Sequence, residues 1–543
     1  MMQTMETVDI IVMGCGPAGM TAALAAHEAG AEVAILERFE RIGGTGAVSG
    51  GVIWVADNPR QRAAGMADSR DEALAYFRAL DHGDLVDETL AAFVDYGPEA
   101  LAFLEDRDAL KVALLDGYPD YYLDRPGAKP EGGRALDHDL FDYRELGEWA
   151  GRVYGIEEPR PMMLRETPLG GGTGVVPPEE LKRRMEANER GFGQAMVGRL
   201  LKACLDRGIE PLTGVETKRL LREGGRIAGV EGEKDGKPFA LAARSGVIIA
   251  TGGFEWDEEL RQTFLRGPAP APASPPTARG EGLKLAMAAG AKLGNMTSAW
   301  WSPTLADPDA SWPEGGGRAA PMLIERTVPH SIMVNAAGKR FCNEAANYSA
   351  LAGAFHQFDA QTYSYPNMPC WLIFDEQYAA RYPLGTRMPG QPLPDWVTSA
   401  DSFEALGEKL GIDGAALAAT VERFNAFARE GHDPDFARGT SAYDHFYGDR
   451  SREGAGVTLG AVEQAPFHAV PVHMGMLGTN GGPRTDGEAR ILGHDGEPIA
   501  GLYGAGNAIA CPTGGIYAGA GGTLGPALTF GYIAGRSAAR ANA

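Results

Sequence analysis

The sequence predicts an α/β fold, in which a Rossmann-like nucleotide-binding domain is interrupted by an inserted α+β domain. A buried-strand run at residues 8–13 leads through GCGPAG into an alanine-rich helix that ends at Gly30, and a second strand follows at residues 32–36. Strand-then-glycine segments return near the C-terminus, in residues 501–535. We therefore predict a discontinuous nucleotide domain of residues 1–296 and 470–543, and an inserted domain of residues 297–469.

The remaining elements follow from hydrophobic periodicity and turn residues. An aromatic and proline-rich segment, residues 116–133, is too irregular for a helix or strand. Residues 209–253 read as several strands joined by DG and GG turns, the last at residues 246–250. The proline-rich stretch 268–276 is predicted to be a surface loop or hinge. Helices are predicted near residues 71–80, 87–107, 193–207 and 282–289, and from about Thr523.

Composition excludes several classes of function. The net charge of −22 argues against nucleic acid as a partner and disfavours an anionic membrane surface. The five cysteines are scattered and form no CxxC pair, which is typical of a reduced cytoplasm and of a chain without a metal site. No leader-like segment or transmembrane segment is found, so we expect a cytoplasmic protein.

The first turn carries a dinucleotide-binding pattern. Gly14, Gly16 and Gly19 form GxGxxG between a strand and a helix, where glycines allow a tight turn and close approach to a pyrophosphate. Glu37 follows the second strand, where a carboxylate can hold a ribose hydroxyl. A turn dictated by packing alone is the simpler reading of GxGxxG, but the flanking strand, helix and acid favour a dinucleotide.

Three further segments favour FAD over NAD. They are IGGTGAVSGG at residues 42–51, IIATGGF at 248–254 and LYGAGN at 502–507, and each brings glycines to a turn. The first contains no histidine that could attach a flavin covalently, so we predict non-covalent FAD. The predicted cofactor-binding residues are Gly14, Gly16, Pro17, Ala18, Gly19, Glu37, Arg38, Gly43, Gly44, Thr45, Ser49, Gly50, Gly51, Val215, Ala250, Thr251, Gly252, Gly253, Gly506, Asn507, Gly522, Thr523 and Leu524.

With TARGEGLKLAMAAGA, SIMVNAAGKRFCNEAANY and the 501–535 block, these motifs resemble the fumarate reductase/succinate dehydrogenase-type FAD flavoproteins from residue 8 to 535. Dicarboxylate reductases of that superfamily use arginines to hold carboxylates. This chain has Tyr348 and Gly519 at the corresponding positions, which argues against succinate or fumarate. Within the superfamily, the chain resembles the 3-ketosteroid Δ1-dehydrogenase branch, although Ala520 replaces a proline of that branch's loop.

The resemblance implies four catalytic residues. Tyr517 and the Gly521 N–H would donate to a ketone oxygen as it gains negative charge. Tyr348, helped by Tyr121, would take the neighbouring proton, and hydride would pass to the flavin N5. The small residues next to Tyr517 in the sequence are expected to leave its side chain uncovered. Tyr348 could instead be an interface aromatic, and Tyr121 could line a pocket. Trp300 and Trp301 are expected to be pocket wall or core.

The implied activity is introduction of a C=C bond α–β to a ketone, as in 3-oxosteroid 1-dehydrogenation. The implied partners are a small apolar, steroid-like ketone and an external electron acceptor such as a quinone. Alternatives are an FAD-dependent enone or ene reductase and a 4,5-desaturase of ketosteroids. The 4,5-desaturase carries a serine where this chain has Gly519. A non-enzymatic flavin electron carrier is disfavoured, because a carrier does not need a large inserted domain.

Overall fold

The computed structural model describes residues 6–541, so residues 1–5 and 542–543 of the predicted nucleotide domain lie outside the described part. The strands are β1 (Thr7–Met13), β2 (Val33–Leu36), β3 (Ile53–Trp54), β4 (Val112–Asp116), β5 (Gly132–His138), β6 (Phe141–Asp142), β7 (Glu189–Arg190), β8 (Val215–Glu223), β9 (Arg226–Lys234), β10 (Lys237–Ile249), β11 (Leu293–Gly294), β12 (Ala299–Ser311), β13 (Gly317–Pro321), β14 (Ser331–Asn335), β15 (Cys370–Asp375), β16 (Thr398–Ala400), β17 (Phe467–Thr479), β18 (Gly482–Pro483), β19 (Arg490–Leu492) and β20 (Pro498–Gly504).

The α-helices are α1 (Pro17–Glu28), α2 (Gly44–Val48), α3 (Pro59–Ala63), α4 (Arg70–Ala79), α5 (Asp87–Glu105), α6 (Pro178–Glu186), α7 (Phe192–Leu205), α8 (Glu258–Phe264), α9 (Glu281–Ala288), α10 (Leu351–Phe355), α11 (Glu376–Arg381), α12 (Phe403–Leu410), α13 (Gly414–Glu430), α14 (Ala442–Phe446) and α15 (Leu524–Arg540). Short 3₁₀ helices occupy Tyr143–Arg152, Leu164–Glu166, Pro168–Gly170, Gly454–Val457 and Gly506–Ala508.

The chain separates into two compact units. The first contains the described residues through Leu265, then Thr277–Trp300, then Gly478 to the end of the described chain. The second contains Arg266–Pro276 and Trp301–Leu477. The proline-rich stretch that the sequence marked as a loop or hinge therefore belongs to the second unit.

The first unit is built on a mixed sheet with the strand order β19-β20-β10-β1-β2, to which β9 and β8 are added beside β10. In its parallel centre, Ile11 of β1 aligns with Ala34 of β2 and Val247 of β10. The Ile and Val run of β1 is buried, as parallel strands covered on both faces require. The turn after β1 consequently lies at the carboxyl edge of the sheet, where doubly wound folds bind ligands.

Helices α1 and α15 pack side by side in this unit. A Cβ added to Gly531 would collide with the main chain of Ala18, and one added to Gly535 would collide with that of Ala22. Because the contact advances along both helices together, the two helices run parallel. Their N-termini, with their positive dipole ends, therefore face the same edge of the sheet.

The second unit is built on an antiparallel sheet with the order β13-β12-β17-β15-β14, and β16 pairs with β17. Ile332 lies opposite Ile373, which in turn lies opposite Ala469. These side chains join a buried cluster with Leu417 and Phe424 of α13, so that helices cover the sheet.

The structure is mixed α/β, as predicted, and the predicted helices are present with ends shifted by one or two residues. The strand expected at residues 246–250 is much longer, because antiparallel pairing with β9 extends β10 back to Lys237. The segment expected to be irregular contains the start of β5 at Gly132. Between residues 6 and 541, no helix combines the length and apolar character needed to cross a membrane.

Candidate active site

The turn after β1 has the shape that a pyrophosphate site needs. Gly14 has φ +102°, and a Cβ there would strike the carbonyl of Ala250, so only glycine fits. A Cβ on Gly19 would strike the carbonyl of Gly14, whereas one on Gly16 would meet nothing within 4 Å. The N-terminus of α1 has no side-chain cap and no acidic residue in its first turn. Its N–H groups and dipole are therefore available to an anion.

Glu37 lies beside this turn, at the end of β2. Its carboxylate accepts the N–H of Cys15 at 2.9 Å and that of Phe39 at 3.1 Å. Desolvation raises the pKa of Glu37, against the opposing effect of those N–H donors. The Glu37 carbonyl accepts the Val215 N–H at 2.9 Å, which brings the start of β8 against the same position. The acid and Val215, both predicted to bind the cofactor, thus lie together.

The other predicted cofactor segments begin or flank helices of the first unit. A Cβ on Gly43 would lie 2.8 Å from Val197 of α7, so this loop is also packed against protein. The Thr251 Oγ1 is buried and has no hydrogen-bond partner among the described residues. The Asn507 Oδ1 accepts the Trp300 Nε1–H at 3.0 Å. The remaining predicted cofactor residues lie at the ends of helices or of β10. They are Pro17 and Ala18 at the start of α1, Gly44 and Thr45 at the start of α2, Ser49, Gly50 and Gly51 after α2, Gly252 and Gly253 after β10, Gly506 at the start of a 3₁₀ turn, Gly522 and Thr523 before α15, and Leu524 at its start.

Arg38 differs from the other predicted cofactor residues. Its guanidinium is ion-paired with Glu281 and, at 3.2 Å, with Glu216. It is therefore already neutralised by protein carboxylates.

These observations fit FAD. Two parallel helices present N-termini without side-chain caps, the space beside Gly16 is open, and Glu37 stands where a ribose acid is needed. The orphaned Thr251 hydroxyl also lies in a predicted cofactor segment. The assignment of individual residues to the dinucleotide stays a prediction.

Tyr517 lies in the loop that leads into α15, and it is covered rather than exposed. Its side chain is only 4% exposed. The Tyr121 ring stacks on it with centroids 5.4 Å apart, and the Trp300 ring meets it edge-on at 5.1 Å. The expectation that small neighbours leave it uncovered was wrong, because aromatic side chains from distant parts of the sequence cover it. The structure thus places Tyr121 in contact with Tyr517, whereas its role as a helper of Tyr348 stays a prediction.

Gly521 lies in the same loop and has φ +89°, a left-handed conformation that favours glycine. Its carbonyl accepts the N–H groups of Trp54 at 3.2 Å and Gly525 at 2.9 Å. These two bonds fix the peptide plane that follows Gly521. A Cβ on Gly522 would lie 3.3 Å from the Tyr517 ring, so the loop folds closely around the tyrosine.

Sequence reasoning missed the buried polar groups that support this loop. Tyr76, Asp120 and Arg134 are all buried and hydrogen-bonded close to Tyr121 and the 517–522 loop. Only Asp120 had a local signal, because it directly precedes Tyr121. The other two lie on α4 and β5 and reach the loop only through the tertiary fold.

Tyr348 belongs to the second unit, in the turn between β14 and α10. It is 5% exposed. The turn is held by its own side chains, since the Asn343 Oδ1 accepts the Ala345 N–H at 2.9 Å and the Asn347 Oδ1 accepts the Ala350 N–H at 2.9 Å. Tyr348 therefore occupies a well-defined position within its unit.

Buried arginines surround that turn. Arg326 is fully buried and donates to the carbonyl of Ala346 at 2.7 Å and to that of Glu344. The Glu344 carboxylate is ion-paired with Arg340 at 2.7 Å and Arg438 at 3.2 Å. Burial raises the pKa of Glu344, but the charges of the two arginines outweigh it and the net shift is downward. Carboxylates lie among these arginines, since Arg340 is also ion-paired with Asp433 at 2.8 Å and the Asn343 amide donates to Asp444 at 3.0 Å. The Tyr348 turn is thus surrounded by buried charges of both signs.

Comparisons with a family model, with curated relatives and with solved structures identify the family of this chain. The model of the FAD binding domain family matches residues 9–524. The chain belongs to this family. It is an FAD-dependent oxidoreductase, and the predicted cofactor and enzyme class are confirmed.

Two curated relatives span nearly the whole chain. The first, a 4-oxocyclohexanecarboxylate 2-dehydrogenase of Sinomonas cyclohexanicum, is 40% identical over 98% of this chain and 93% of its own length. The second, a 3-oxosteroid 1-dehydrogenase of Mycolicibacterium smegmatis, is 36% identical over 98% of this chain and 97% of its own. Both are named as dehydrogenases of ring ketones.

A solved structure agrees with this placement. The 3-ketosteroid delta1-dehydrogenase of Sterolibacterium denitrificans, in complex with 1,4-androstadiene-3,17-dione, superposes with a TM-score of 0.91 at 33% identity. The match covers 98% of this chain and all of that chain. A flavocytochrome c3 fumarate reductase is also similar, with a TM-score of 0.67 at 22% identity, which bears on the fold alone.

Proposed function

We propose that this flavoprotein introduces a C=C bond between the carbons α and β to a ring ketone, as a member of the Δ1-dehydrogenase branch. The observation that carries the proposal is the contact between Tyr517 and Tyr121 in the loop before α15. Bound FAD supplies the hydride acceptor for this chemistry. The chain's own residues must hold the ketone, stabilise its oxygen and move one proton.

Tyr517 and Gly521 are the proposed donors to the ketone oxygen. A proton next to a carbonyl becomes removable only when the developing negative charge on oxygen is stabilised. A phenol and a fixed peptide N–H can both supply that stabilisation. The two bonds to the Gly521 carbonyl fix the peptide that carries the Gly522 N–H. The Gly521 N–H belongs to the peptide before it, which is joined to the fixed one at the left-handed Gly521.

Tyr348 is the proposed base. Tyr121 is the proposed helper of Tyr348, and its ring lies against that of Tyr517. An ordinary tyrosine has a pKa of about 10, so a base needs surroundings that favour its anion. The buried guanidinium of Arg326 on the carbonyls of the Tyr348 turn supports the assignment. We further propose that the second unit acts as the inserted substrate domain, and that an external acceptor such as a quinone reoxidises the enzyme.

Two substrate classes are proposed, each from a different similarity. A 3-oxosteroid is favoured by the steroid-bound structure at a TM-score of 0.91. A small ring ketone with a carboxylate, such as 4-oxocyclohexanecarboxylate, is favoured by the relative at 40% identity. Both carry the α and β hydrogens that the proposed reaction removes.

Anaerobic flavin bleaching tests the proposal. The oxidised holoenzyme is mixed without oxygen with 4-androstene-3,17-dione, with 4-oxocyclohexanecarboxylate and, as a control, with succinate. We expect one of the two ketones to bleach the flavin and to yield an enone two hydrogens lighter, and succinate to leave the spectrum unchanged. Bleaching by succinate, or by neither ketone, would contradict the proposal.

A further inference from the structure

Tyr76 connects the two proposed catalytic segments of the first unit through one hydroxyl group. It lies on α4 and is fully buried. Its hydroxyl donates to the Ala518 carbonyl at 2.8 Å and accepts the Tyr122 N–H at 3.1 Å. The same carbonyl accepts the Tyr121 N–H at 3.0 Å. One oxygen of the loop after Tyr517 is therefore bound both by Tyr76 and by the main chain of Tyr121.

A buried ion pair holds the start of the Tyr121 segment. The Arg134 guanidinium donates to both Asp68 oxygens, at 2.8 and 2.6 Å, and to Asp120 at 2.8 Å. The other Asp120 oxygen accepts the Trp54 Nε1–H at 2.9 Å. Because Asp120 directly precedes Tyr121, its carboxylate fixes the main chain from which that ring projects.

Trp54 extends the same support to the 517–522 loop. A Cβ on Gly519 would lie 2.7 Å from the Trp54 indole and 3.1 Å from an Asp120 oxygen, so the loop rests directly on both. The Trp54 main-chain N–H also donates to the Gly521 carbonyl. Trp54 therefore supports the loop with its indole at Gly519 and with its main chain at Gly521.

Burial and charge in this cluster keep the Tyr76 hydroxyl protonated. Burial, followed by the Asp120 carboxylate, raises the pKa of Tyr76. Its hydroxyl consequently keeps its proton and serves as the donor to Ala518. Burial also raises the pKa of Asp120, while the charge of Arg134 opposes that rise.

From this arrangement we infer that Tyr76 is a positioning residue, which sets the separation of the Tyr121 and Tyr517 side chains through the Ala518 carbonyl. The inference rests on the proposed function of Tyr517. Tyr76 contributes geometry, and it touches neither substrate nor cofactor in this role. Small displacements of catalytic groups have large kinetic costs, on the order of 100-fold for about 1 Å.

The test is Tyr76→Phe, which removes one hydroxyl and keeps the buried ring. We expect kcat to fall roughly 10- to 100-fold with the ketone that bleaches the wild type. We expect KM and the flavin content per chain to stay within about twofold, since the binding residues are unchanged. Activity is expressed per bound flavin, so that loss of folded protein does not count as loss of kcat.

Tyr378→Phe is the matched control. Tyr378 is equally buried, and its hydroxyl lies 3.1 Å from the carbonyl oxygens of Glu325 and Pro383 in the second unit. We expect its kcat to remain within about twofold of wild type. An equal fall of kcat in Tyr378→Phe would overturn the inference, because any buried hydroxyl would then have the same effect.

Two further results separate this inference from the proposed function. Tyr76→Phe with wild-type kcat beside an impaired Tyr517→Phe would overturn the positioning role and leave the function standing. Wild-type kcat in Tyr517→Phe would remove the function on which the inference rests. Should Tyr76→Phe not yield holoenzyme, Trp54→Phe tests the same support, with the same expected fall in kcat and wild-type kcat as the overturning result.

Discussion

The turns that carry Tyr517 and Tyr348 are both anchored through main-chain carbonyls, but the anchors differ in charge. Next to Tyr517, the Ala518 carbonyl is held by the neutral Tyr76 hydroxyl and the Tyr121 N–H. Next to Tyr348, the carbonyls of the turn are held by the guanidinium of Arg326. One tyrosine thus has a neutral anchor and the other a cationic one.

The difference bears on which tyrosine keeps its proton. The cation beneath the Tyr517 loop, Arg134, is matched by the carboxylates of Asp68 and Asp120. Within residues 6–541, the hydrogen bonds of the Arg326 guanidinium all go to carbonyl oxygens. Burial raises the pKa of the neighbouring Glu325, and the charge of Arg326 opposes that rise. A nearby cation favours a phenolate, whereas two carboxylates around one cation leave a phenol protonated. The comparison therefore supports Tyr517 as the donor and Tyr348 as the base.

Tyr348→Phe should have the largest effect. Removing a general base typically costs about 10²–10⁴ in rate, and phenylalanine preserves the ring. We expect turnover with an artificial acceptor to fall by that factor while FAD remains bound. Turnover close to that of wild type would mean that another group is the base. The difference in charge between the two turns would then have no bearing on function.

Tyr517→Phe should come next. Loss of one donor to a developing oxyanion typically costs about 10²–10³ in kcat. We expect that fall in the anaerobic rate of flavin reduction. A rate within a few-fold of wild type would show that the loop's N–H groups suffice without the phenol.

Asp68→Asn tests whether the buried ion pair between Asp68 and Arg134 stabilises the fold. Burial raises the pKa of Asp68, but its bonds to Arg134 outweigh burial and the net shift is downward. The stability this provides is present above the unfolded pKa of about 3.9 and is lost as the pH falls through the lower folded value. We expect Asp68→Asn to lower the free energy of unfolding by roughly 1.5–3 kcal/mol at pH 7. On acidification, we expect the variant to lose less further stability than the wild type.

Thermal unfolding of the holoenzyme between pH 7 and pH 3 gives the measurement. The control is Asp71→Asn, at an exposed position three residues further on in the first turn of α4, and it should follow the wild type. If the Tm of Asp68→Asn fell with pH in parallel with that of the wild type, the ion pair would not contribute to the acid sensitivity of the fold.

Arg326→Gln should have the smallest effect, on pH dependence. Removing the cation makes the phenolate less favourable, so we expect the acidic limb of the pH–rate profile to move upward by on the order of one unit. Arg326→Lys keeps the charge and should retain the wild-type limb. Identical profiles for the two variants would show that the charge of Arg326 does not act on the base.

Local features of the site could be predicted from the sequence. The turn of Gly14 and Gly19 and the acid at Glu37 are set by backbone geometry within one βαβ unit, so their spacing is visible in the sequence. The start of α15 was predicted within a residue, because glycines end abruptly before an apolar helix.

The supports of the site could not be predicted, because they join distant residues. Tyr76 and Ala518 are 442 positions apart, and no local pattern links them. The covering of Tyr517 by Tyr121 and Trp300 was missed for the same reason. Arg134 follows an irregular segment, and its pairing with Asp68 depends on how β5 packs against the segment before α4.

Deuterium exchange tests the division of roles between the two tyrosines most directly. The enzyme with its flavin already reduced is incubated anaerobically with the active ketone in D₂O, so that only proton transfer at the α-carbon is recorded, by NMR. We predict exchange in the wild type, near-complete loss in Tyr348→Phe and a strong reduction in Tyr517→Phe. Exchange at the wild-type rate in Tyr348→Phe would contradict the account.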